Sequence, residues 1–195
     1  MSIDIPQLKN IIPTIENDIS ANDNLSITLG LSWENLEYSC YFYRKIYLLE
    51  TLLRQQINKQ FTVVFGNDWL DINFLKINFN EKDKKKIEES LTRILREGLL
   101  NHHLVENMTF GFWAGLFHRH YHRQIWENSD MVAKVFPYFA NKQRSFHLID
   151  TELNLVRKLR NKICHFADIT SENRLKIDRI IDKYLFGICG KNNKI

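Results

Sequence analysis

An arginine, an asparagine and a histidine stand close together near the end of the chain, as Arg160, Asn161 and His165. Arginine binds a phosphate through paired hydrogen bonds, and histidine gives or takes a proton near neutral pH. A neighbouring amide can orient either group. These side chains suit the capture of a phosphodiester or an attack on it. An exposed Arg, Lys and Asn face is also common on helices without chemistry, so the spacing alone leaves both interpretations open.

The stretch that carries these residues, 153–166, has the periodicity of an amphipathic helix, called here the motif helix. Its apolar positions occupy about a third of the circumference at roughly 100° per residue. They are Leu155, Val156, Leu159, Ile163 and Phe166, with Leu148 on the same face just before the stretch. Arg157, Arg160, Asn161 and His165 are predicted on the opposite side, with the Arg160 and His165 directions about 140° apart. One face is therefore predicted to pack and the other to offer polar groups.

Glu50 stands out on a long apolar helix that is predicted from about Trp33 to Phe61. The apolar stripe of this helix comprises Tyr43, Ile46, Leu49, Leu53, Ile57 and Phe61, with Leu48 and Leu52 opposite. Such a helix is expected to be buried centrally or shared with a partner. Glu50 falls near the middle of the stripe, and a buried carboxylate requires a cationic partner. Arg54 is the local candidate, and Arg160 or Arg157 on the motif helix is the alternative.

A second basic cluster occupies a helix that is predicted from about Phe110 to Trp126. It contains His118, Arg119, His122 and Arg123. His118 and His122 are four positions apart and could share a helix face, as in a zinc half-site. Further ligands with supporting spacing are not evident, so an RNA-binding face is favoured, and no metal or other cofactor is expected. On the motif helix, Lys158 and Lys162 are further candidates for RNA binding.

The rest of the chain is also predicted to be helical, because it has long periodic runs, only three prolines and only seven glycines. A short helix is expected within residues 1–20, and another between Met131 and Phe139 that bends or ends around Pro137. Asn80 or Asp83 can cap the helix that carries Ile87, Leu91, Ile94, Leu95 and Leu99. The closing helix carries Leu175, Ile177, Ile180, Ile181, Tyr184, Leu185 and Ile188. Residues 187–195 are predicted to be a frayed tail.

Composition favours one globular domain over residues 1–195, with 44% hydrophobic and 26% charged residues. No apolar run approaches the ~18 residues of a membrane-spanning helix, so no membrane association is expected. The N-terminus lacks the pattern of a secretory signal, and the cysteines Cys40, Cys164 and Cys189 have no metal spacing. Free thiols and a bacterial cytoplasmic location are therefore expected. The net charge of +4 is compatible with nucleic acid but decides little.

Four short motifs follow one another over roughly residues 33–168. They are Leu49–Arg54, Phe65–Leu70, Met108–Trp113 and Arg160–His165. In this order they resemble the Leu-Glu-x-x-x-Arg, aromatic-Gly-x-x-Trp, Ser/Thr-Phe-Gly and Arg-Asn-x-x-x-His elements of the HEPN superfamily, and more narrowly of the bacterial Abi-like abortive-infection proteins. The resemblance implies an all-α HEPN-like helical bundle with additional helices.

The resemblance also implies a metal-independent endoribonuclease that acts as a toxin or phage-defence effector. The RNA 2′-hydroxyl would attack the adjacent phosphate, with His165 as acid or base, Arg160 on the phosphate and Asn161 orienting them. This route needs both a base and an acid, and one motif offers a single histidine. Two copies in a symmetric homodimer would supply the second. The position of the family's early Glu suggests that Glu50 holds Arg160 or Arg157.

Two other functions remain open. Cys164 stands where the family usually has Ala, and the Arg and Trp-Asn that commonly follow the histidine are absent from residues 166–170. The first alternative is therefore a noncatalytic RNA- or nucleotide-binding module. The second is a helical partner-binding protein of a toxin–antitoxin pair, with an antitoxin or regulatory protein as its partner.

Overall fold

The computed structural model describes residues 33–71, 76–99, 104–127, 130–165, 167 and 171–190. These residues are helical or in turns and contain no strand, which confirms the all-α prediction. None of the helices among them is long and apolar enough to cross a membrane. The chain divides into two compact units, residues 1–41 and 42–195, of which the first is described only at 33–41. The helix expected within residues 1–20 lies outside the described residues, and one domain over 1–195 stays a prediction.

Seven α-helices occur in the described ranges. They are α1 (Trp33–Phe65), α2 (Glu81–Arg96), α3 (Leu104–Asn107), α4 (Phe110–Gly115), α5 (Met131–Val135), α6 (Phe146–Cys164) and α7 (Ser171–Cys189). Two 3₁₀ turns, Arg119–Tyr121 and Asn141–Arg144, and a π turn, His122–Trp126, connect some of them. The motif helix is α6, and it packs against α4 and α7.

The first helix follows its prediction closely and ends only four residues later, where Gly66 adopts a φ of +94°. From residue 42 onward its core side is lined by Phe42, Ile46, Leu49, Leu53, Ile57 and Phe61. Tyr43 was predicted on this stripe, which is wrong, because its side chain is 54% exposed. At ~100° per residue it lies about 70° from the centre of the buried set.

A buried lysine joins α1 to α7. Lys45 is only 3% exposed, and its ammonium lies 2.5 Å from Asp178 and 2.6 Å from Asp182. A buried ammonium requires such partners, because an unpaired buried charge costs about 3–5 kcal/mol of stability. These two ion pairs therefore hold this part of α1 against α7.

Asn80 caps α2, as predicted, because its side chain accepts a hydrogen bond from the Asp83 N–H at 2.9 Å. Ile87 and Ile94 are buried, as the helical spacing requires. Leu95 and Leu99 were predicted on the same helix, but Leu99 lies beyond its end at Arg96, and the two side chains are 58% and 36% exposed. The buried stripe of α2 is narrower than its apolar sequence pattern suggests.

Asp83 is the centre of a polar network beneath α2. Its carboxylate accepts hydrogen bonds from the Tyr121 hydroxyl at 2.6 Å, from Lys86 at 2.5 Å and from Asn80 at 2.9 Å. Burial alone would raise the pKa of Asp83, but the hydrogen bonds from Lys86, Tyr121 and Asn80 lower it below its ordinary range. Burial and the bond to Asp83 raise the pKa of Tyr121. The network ties α2 to the 3₁₀ turn at Arg119–Tyr121.

We expect Asp83→Asn to destabilise the protein at neutral pH by about 1–3 kcal/mol, because a buried network loses its charged acceptor. The pKa of Asp83 is lower in the folded than in the unfolded chain, so the carboxylate stabilises the fold above its unfolded pKa of 3.8. This stability is lost as the pH falls through the folded pKa. Urea unfolding of both proteins over an acid-to-neutral pH series should show the difference shrinking in acid. A difference independent of pH would contradict the assignment.

The single helix predicted from Phe110 to Trp126 is wrong, because α4 ends at Gly115 and two short turns follow. The buried side chains of this segment are mostly aromatic, and they are Phe110, Phe112, Trp113, Ala114, Leu116, Phe117, Tyr121, Ile125 and Trp126. At ~100° per residue they would point all around a straight helix, so the chain must turn to bury them. His118 precedes the first turn and accepts a hydrogen bond from the His120 N–H. His118 and His122 therefore share no helix face.

Two shorter predictions concern the later part of the chain. The helix expected between Met131 and Phe139, bent or ended around Pro137, ends at Val135, because proline disfavours helix in the residue before it. Leu175 lies on the closing helix, as predicted, but its side chain is 70% exposed and does not belong to the core. The three cysteines are free thiols, as predicted.

Gly187 shows that the frayed tail was predicted too early. The last helix, α7, continues to Cys189, and Gly187 is buried with its carbonyl accepting a hydrogen bond from the Tyr138 N–H. A Cβ at position 187 would stand 2.1 Å from Cε1 of Phe139. The glycine therefore lets the Phe139 ring pack onto the helix backbone. Residues 191–195 lie outside the described residues.

Gly187→Ala should consequently destabilise the protein by about 1–3 kcal/mol, because the buried Phe139 ring stacks on Phe136 and has little room to move. The matched control is Gly115→Ala, where an added Cβ meets nothing within 4 Å and the helix gains a better former. Thermal unfolding should show the two substitutions shifting the melting temperature in opposite directions. An unchanged Gly187→Ala protein would contradict the close packing.

Candidate functional site

The buried face of α6 is rotated relative to the predicted one. Its core residues are Ile149, Leu153, Val156, Leu159 and Ile163, whereas Leu148 and Leu155 are only half-buried. At ~100° per residue, the centre of this set is about 60° away from the predicted centre. Arg160 then lies about 40° from the centre of the buried set, so its predicted place opposite the packing face is wrong. Arg157 and Arg160 are half-buried, and Asn161 and His165 are exposed.

Glu50 lies where α1, α4 and α6 meet. Its carboxyl is half-buried, and burial raises its pKa above the ordinary 4.5, while the charges of Arg160 and Arg54 and a hydrogen bond from the Phe110 N–H partly oppose this shift. Of the three arginines considered for Glu50 from the sequence, the local Arg54 and the distant Arg160 thus act on it, whereas Arg157 donates a hydrogen bond to Asn154. The structure brings the predicted carboxylate and the predicted phosphate-binding arginine together.

The hydrogen bond from Phe110 gives Glu50 a second role. Phe110 is the first residue of α4, and Thr109, which precedes it, makes no capping hydrogen bond with its side chain. The first N–H groups of a helix lack partners within the helix and favour a negative charge beside them. The carboxylate of Glu50 supplies one from α1. This contact joins the Leu49–Arg54 motif to the Met108–Trp113 motif.

Arg157 lies at the edge of the site, next to Gly111 of α4. Its Nε donates a hydrogen bond to Oδ1 of Asn154 at 3.1 Å. Its Cδ stands 3.5 Å from the place where a Cβ of Gly111 would be. A side chain larger than Ala at position 111 would therefore press on the arginine. The glycine of the Thr-Phe-Gly motif leaves room for this side chain next to the start of α4.

Arg54 connects the site to the short helix α3. One of its guanidinium nitrogens, Nη1, donates to the backbone carbonyl of Glu106 at 2.9 Å, near the end of α3. Arg93 of α2 donates to the carbonyl and the side chain of the adjacent Asn107, both at 3.0 Å. Since cations stabilise the C-terminal end of a helix, Arg54 serves α3 as well as lowering the pKa of Glu50.

Asn161 and His165 occupy a different side of α6. His165 caps the helix, and its backbone N–H donates to the carbonyls of Asn161 at 3.1 Å and Lys162 at 3.2 Å. Both side chains are exposed. The directions of Arg160 and His165 differ by about 140° of rotation, so one chain does not direct them to a common point. A single copy offers Arg160 beside Glu50 and an imidazole on the surface nearby.

The other predicted RNA-binding residues divide into two groups. Lys158 and Lys162 are exposed on α6 near His165. His118, Arg119 and Arg123 are also exposed, whereas His122 is half-buried with its ring 4.6 Å from that of Phe146, the first residue of α6. From Phe146 to Arg160 the helix rises about 21 Å at 1.5 Å per residue. The cluster 118–123 therefore lies by the far end of the motif helix.

Within the described ranges, no group of three or more His, Cys, Asp or Glu side chains is arranged to hold a metal ion. In the Phe65–Leu70 motif, Trp69 has a structural role, because its indole N–H donates to Asn58 at 2.8 Å and its ring packs on Phe61. The group that sequence reasoning missed is the Phe110 N–H, since a backbone donor leaves no trace in residue types. The Thr-Phe-Gly motif was the available signal for it.

No protein-family model, curated protein or solved structure matches this chain. The fold and the site define a class: an all-α protein in which a half-buried carboxylate meets two arginines and a helix start. The particular activity is inferred from that chemistry.

Proposed function

We propose that the protein is a HEPN-type, Abi-like endoribonuclease that cleaves RNA without a metal ion at a site shared by two copies. The observation that carries the proposal is the meeting of three motifs at Glu50. Its carboxylate receives the Phe110 N–H and lies in the field of Arg160, while Asn161 and His165 are exposed on the same helix. In this proposal Glu50 is a positioning residue, because it fixes an arginine for phosphate.

The reaction would proceed by internal transfer. The 2′-oxygen attacks the adjacent phosphorus, one His165 takes the 2′-hydroxyl proton, and the other His165 gives a proton to the departing 5′-oxygen. The products are a 2′,3′-cyclic phosphate and a 5′-hydroxyl. Arg160 from each copy would stabilise the charge on the phosphorane, and Asn161 would orient the imidazole or the substrate. The divergence of Arg160 and His165 within one chain supports a homodimer in which one copy completes the other.

The test is to incubate the purified protein with total RNA in EDTA and to identify the new ends. Cyclic phosphate and 5′-hydroxyl ends with the wild type, and none with His165→Ala, are the expected result. Bound but uncut RNA would indicate the noncatalytic RNA-binding module instead. The biological setting we propose is a bacterial cytoplasm, where cleavage of cellular RNA would act as a toxin or halt phage multiplication.

A groove between α6 and α7 favours a second candidate, the partner-binding protein. Its volume is about 560 Å³. Leu155 and Leu175 contribute to its apolar lining, and the exposed Lys176 and Arg179 contribute cations. An amphipathic helix with acidic flanks, from an antitoxin or regulatory protein, has the complementary chemistry. Lys176→Glu with Arg179→Glu should weaken binding of an acidic amphipathic model peptide, and equal binding would remove this candidate.

A further inference from the structure

Two large aromatic side chains stand in solvent on adjacent turns of α1. Tyr43 is 54% exposed and Tyr47 is 64% exposed. Because they are four positions apart on a helix, their Cβ atoms lie about 5–6 Å from each other on one side. A single exposed aromatic residue needs no explanation, but a neighbouring pair leaves two apolar rings in water on one side of the helix. Nothing in the proposed cleavage mechanism uses them.

This pair continues directly into the candidate site. At ~100° per residue, Tyr43, Tyr47, Glu50 and Arg54 fall within an arc of about 60° on α1. Tyr47 precedes Glu50 by three positions, which places the two side chains about one turn apart. Glu50 in turn lies in the field of Arg160. The two rings therefore form the part of α1 that a strand would cross on its way to the proposed phosphate site.

On the side toward the candidate site, the composition of the surface favours a nucleic acid over a protein helix. A docking face for a helix continues with apolar residues at i+3, i+4 and i+7. Beyond Tyr47, the positions on this side are instead a carboxylate and a guanidinium, Glu50 and Arg54. Arg44, between the two tyrosines in sequence, is exposed and adds a cation beside the rings. Aromatic faces interleaved with arginines are what unpaired bases and their phosphates require.

We propose that Tyr43 and Tyr47 form a stacking platform for unpaired RNA bases, which leads a single strand to Arg160. The inference rests on the proposed function and specifies its substrate as single-stranded RNA. Every base has a face that can stack on a tyrosine, so the platform contributes affinity without choosing a sequence. Duplex RNA, whose bases already stack on one another, cannot use it.

The test measures fluorescence anisotropy of a labelled single-stranded RNA of about twelve nucleotides, a length within the usual range for such surfaces. All proteins carry His165→Ala, so that the RNA is not cut. Tyr43→Ala and Tyr47→Ala should each weaken binding by about 5- to 140-fold, the range for loss of one stacked base. Tyr43→Phe and Tyr47→Phe should bind like the parent, since phenylalanine keeps the ring face.

Two controls isolate stacking. Tyr138→Ala removes a tyrosine that is also 54% exposed but lies between α5 and α6 in the chain, and it should leave binding unchanged. An abasic oligonucleotide keeps the phosphates and removes the faces, so Tyr43→Ala and Tyr47→Ala should bind it as the parent does. Both results would support the platform.

Other outcomes would overturn it in distinguishable ways. If the parent binds the RNA and both alanine variants bind equally well, the platform is absent while RNA binding stands. If the parent binds no RNA at all, the proposed function fails together with the inference. If the alanine variants change the sedimentation of the protein from dimer to monomer, the two rings are a protein interface instead.

Discussion

Arg160→Ala and His165→Ala proteins are expected to lose nearly all RNA cleavage in EDTA while keeping their helical circular dichroism. Removing a general acid or base typically costs ~10²–10⁴ in rate, and removing a donor to a developing oxyanion costs ~10²–10³. Because each dimer would contain two copies of either residue, a substitution removes both at once. The single-turnover rate on a labelled RNA is the measurement.

The matched control is Arg96→Ala, which removes an exposed arginine near the end of α2 and should cleave at the wild-type rate. If Arg160→Ala or His165→Ala cleaved as fast as this control, the site assignment would be wrong. If EDTA stopped the wild type, a metal would take part. Arg160→Lys adds a further distinction, because lysine keeps the charge but not the paired geometry, and partial activity would locate the effect in phosphate orientation.

Co-expression of wild type with an Arg160→Ala/His165→Ala chain separates shared from independent sites. If two chains build one site, an equal mixture leaves active only the dimers with two wild-type chains, about a quarter of the total. If each chain has its own site, about half of the activity remains. A protein that sediments as a monomer and still cleaves RNA would contradict the shared site.

Helical spacing predicted correctly the helices that bury one continuous apolar stripe. It predicted the wrong structure where packing requires the chain to bend. The boundaries of α1 and the Asn80 cap follow from local rules that the sequence contains in full. The break between Phe110 and Trp126 depends on burying aromatic residues that lie all around a straight helix. The packing at Gly187 depends on Phe139, which is far away in sequence. Such contacts become visible only when distant elements are placed together.

In the candidate site, too, some features could be predicted from the sequence and others depend on packing. A cationic partner for Glu50 was inferred from the cost of an unpaired buried carboxylate, and the family resemblance suggested that this partner is Arg160 or Arg157. In the structure, the charge of Arg160 acts on the Glu50 carboxyl. The orientation of Arg160 was misjudged, because half-buried leucines on α6 resemble core leucines in a sequence. A rotation of about 60° then moved the arginine from the solvent side to the edge of the core. Burial, rather than residue type, decides which face a mixed helix packs.

Glu50→Gln is expected to keep the fold, reduce RNA cleavage by about 10²-fold and leave the protein as stable as wild type or more stable at neutral pH. The loss of rate follows because Arg160 would lose the charge that fixes its guanidinium, and a small misplacement can cost about that factor. Glutamine retains an oxygen that can accept the Phe110 N–H, so the start of α4 keeps its cap. Burial disfavours the ionised carboxylate, and the substitution removes that cost.

The pH dependence of stability tests whether Glu50→Gln stabilises the protein at neutral pH. The folded pKa of Glu50 is raised above 4.5, so its carboxyl stabilises the fold below the unfolded pKa and loses this contribution as the pH rises through the folded pKa. Urea unfolding should therefore show wild type gaining stability relative to Glu50→Gln as the pH falls from neutral toward acid. A stability difference that does not vary with pH would contradict the buried carboxylate.

Arg54→Ala provides the contrasting variant at the same site. It removes the hydrogen bond to the Glu106 carbonyl and should lower stability by about 1 kcal/mol while cleavage falls much less. Glu88→Gln, at an exposed position on α2, controls for the loss of one negative charge. If Glu50→Gln cleaved RNA as fast as Glu88→Gln, Glu50 would serve only the cap of α4. A lost rate with unchanged RNA affinity would instead place its effect on the arginine that stabilises the transition state.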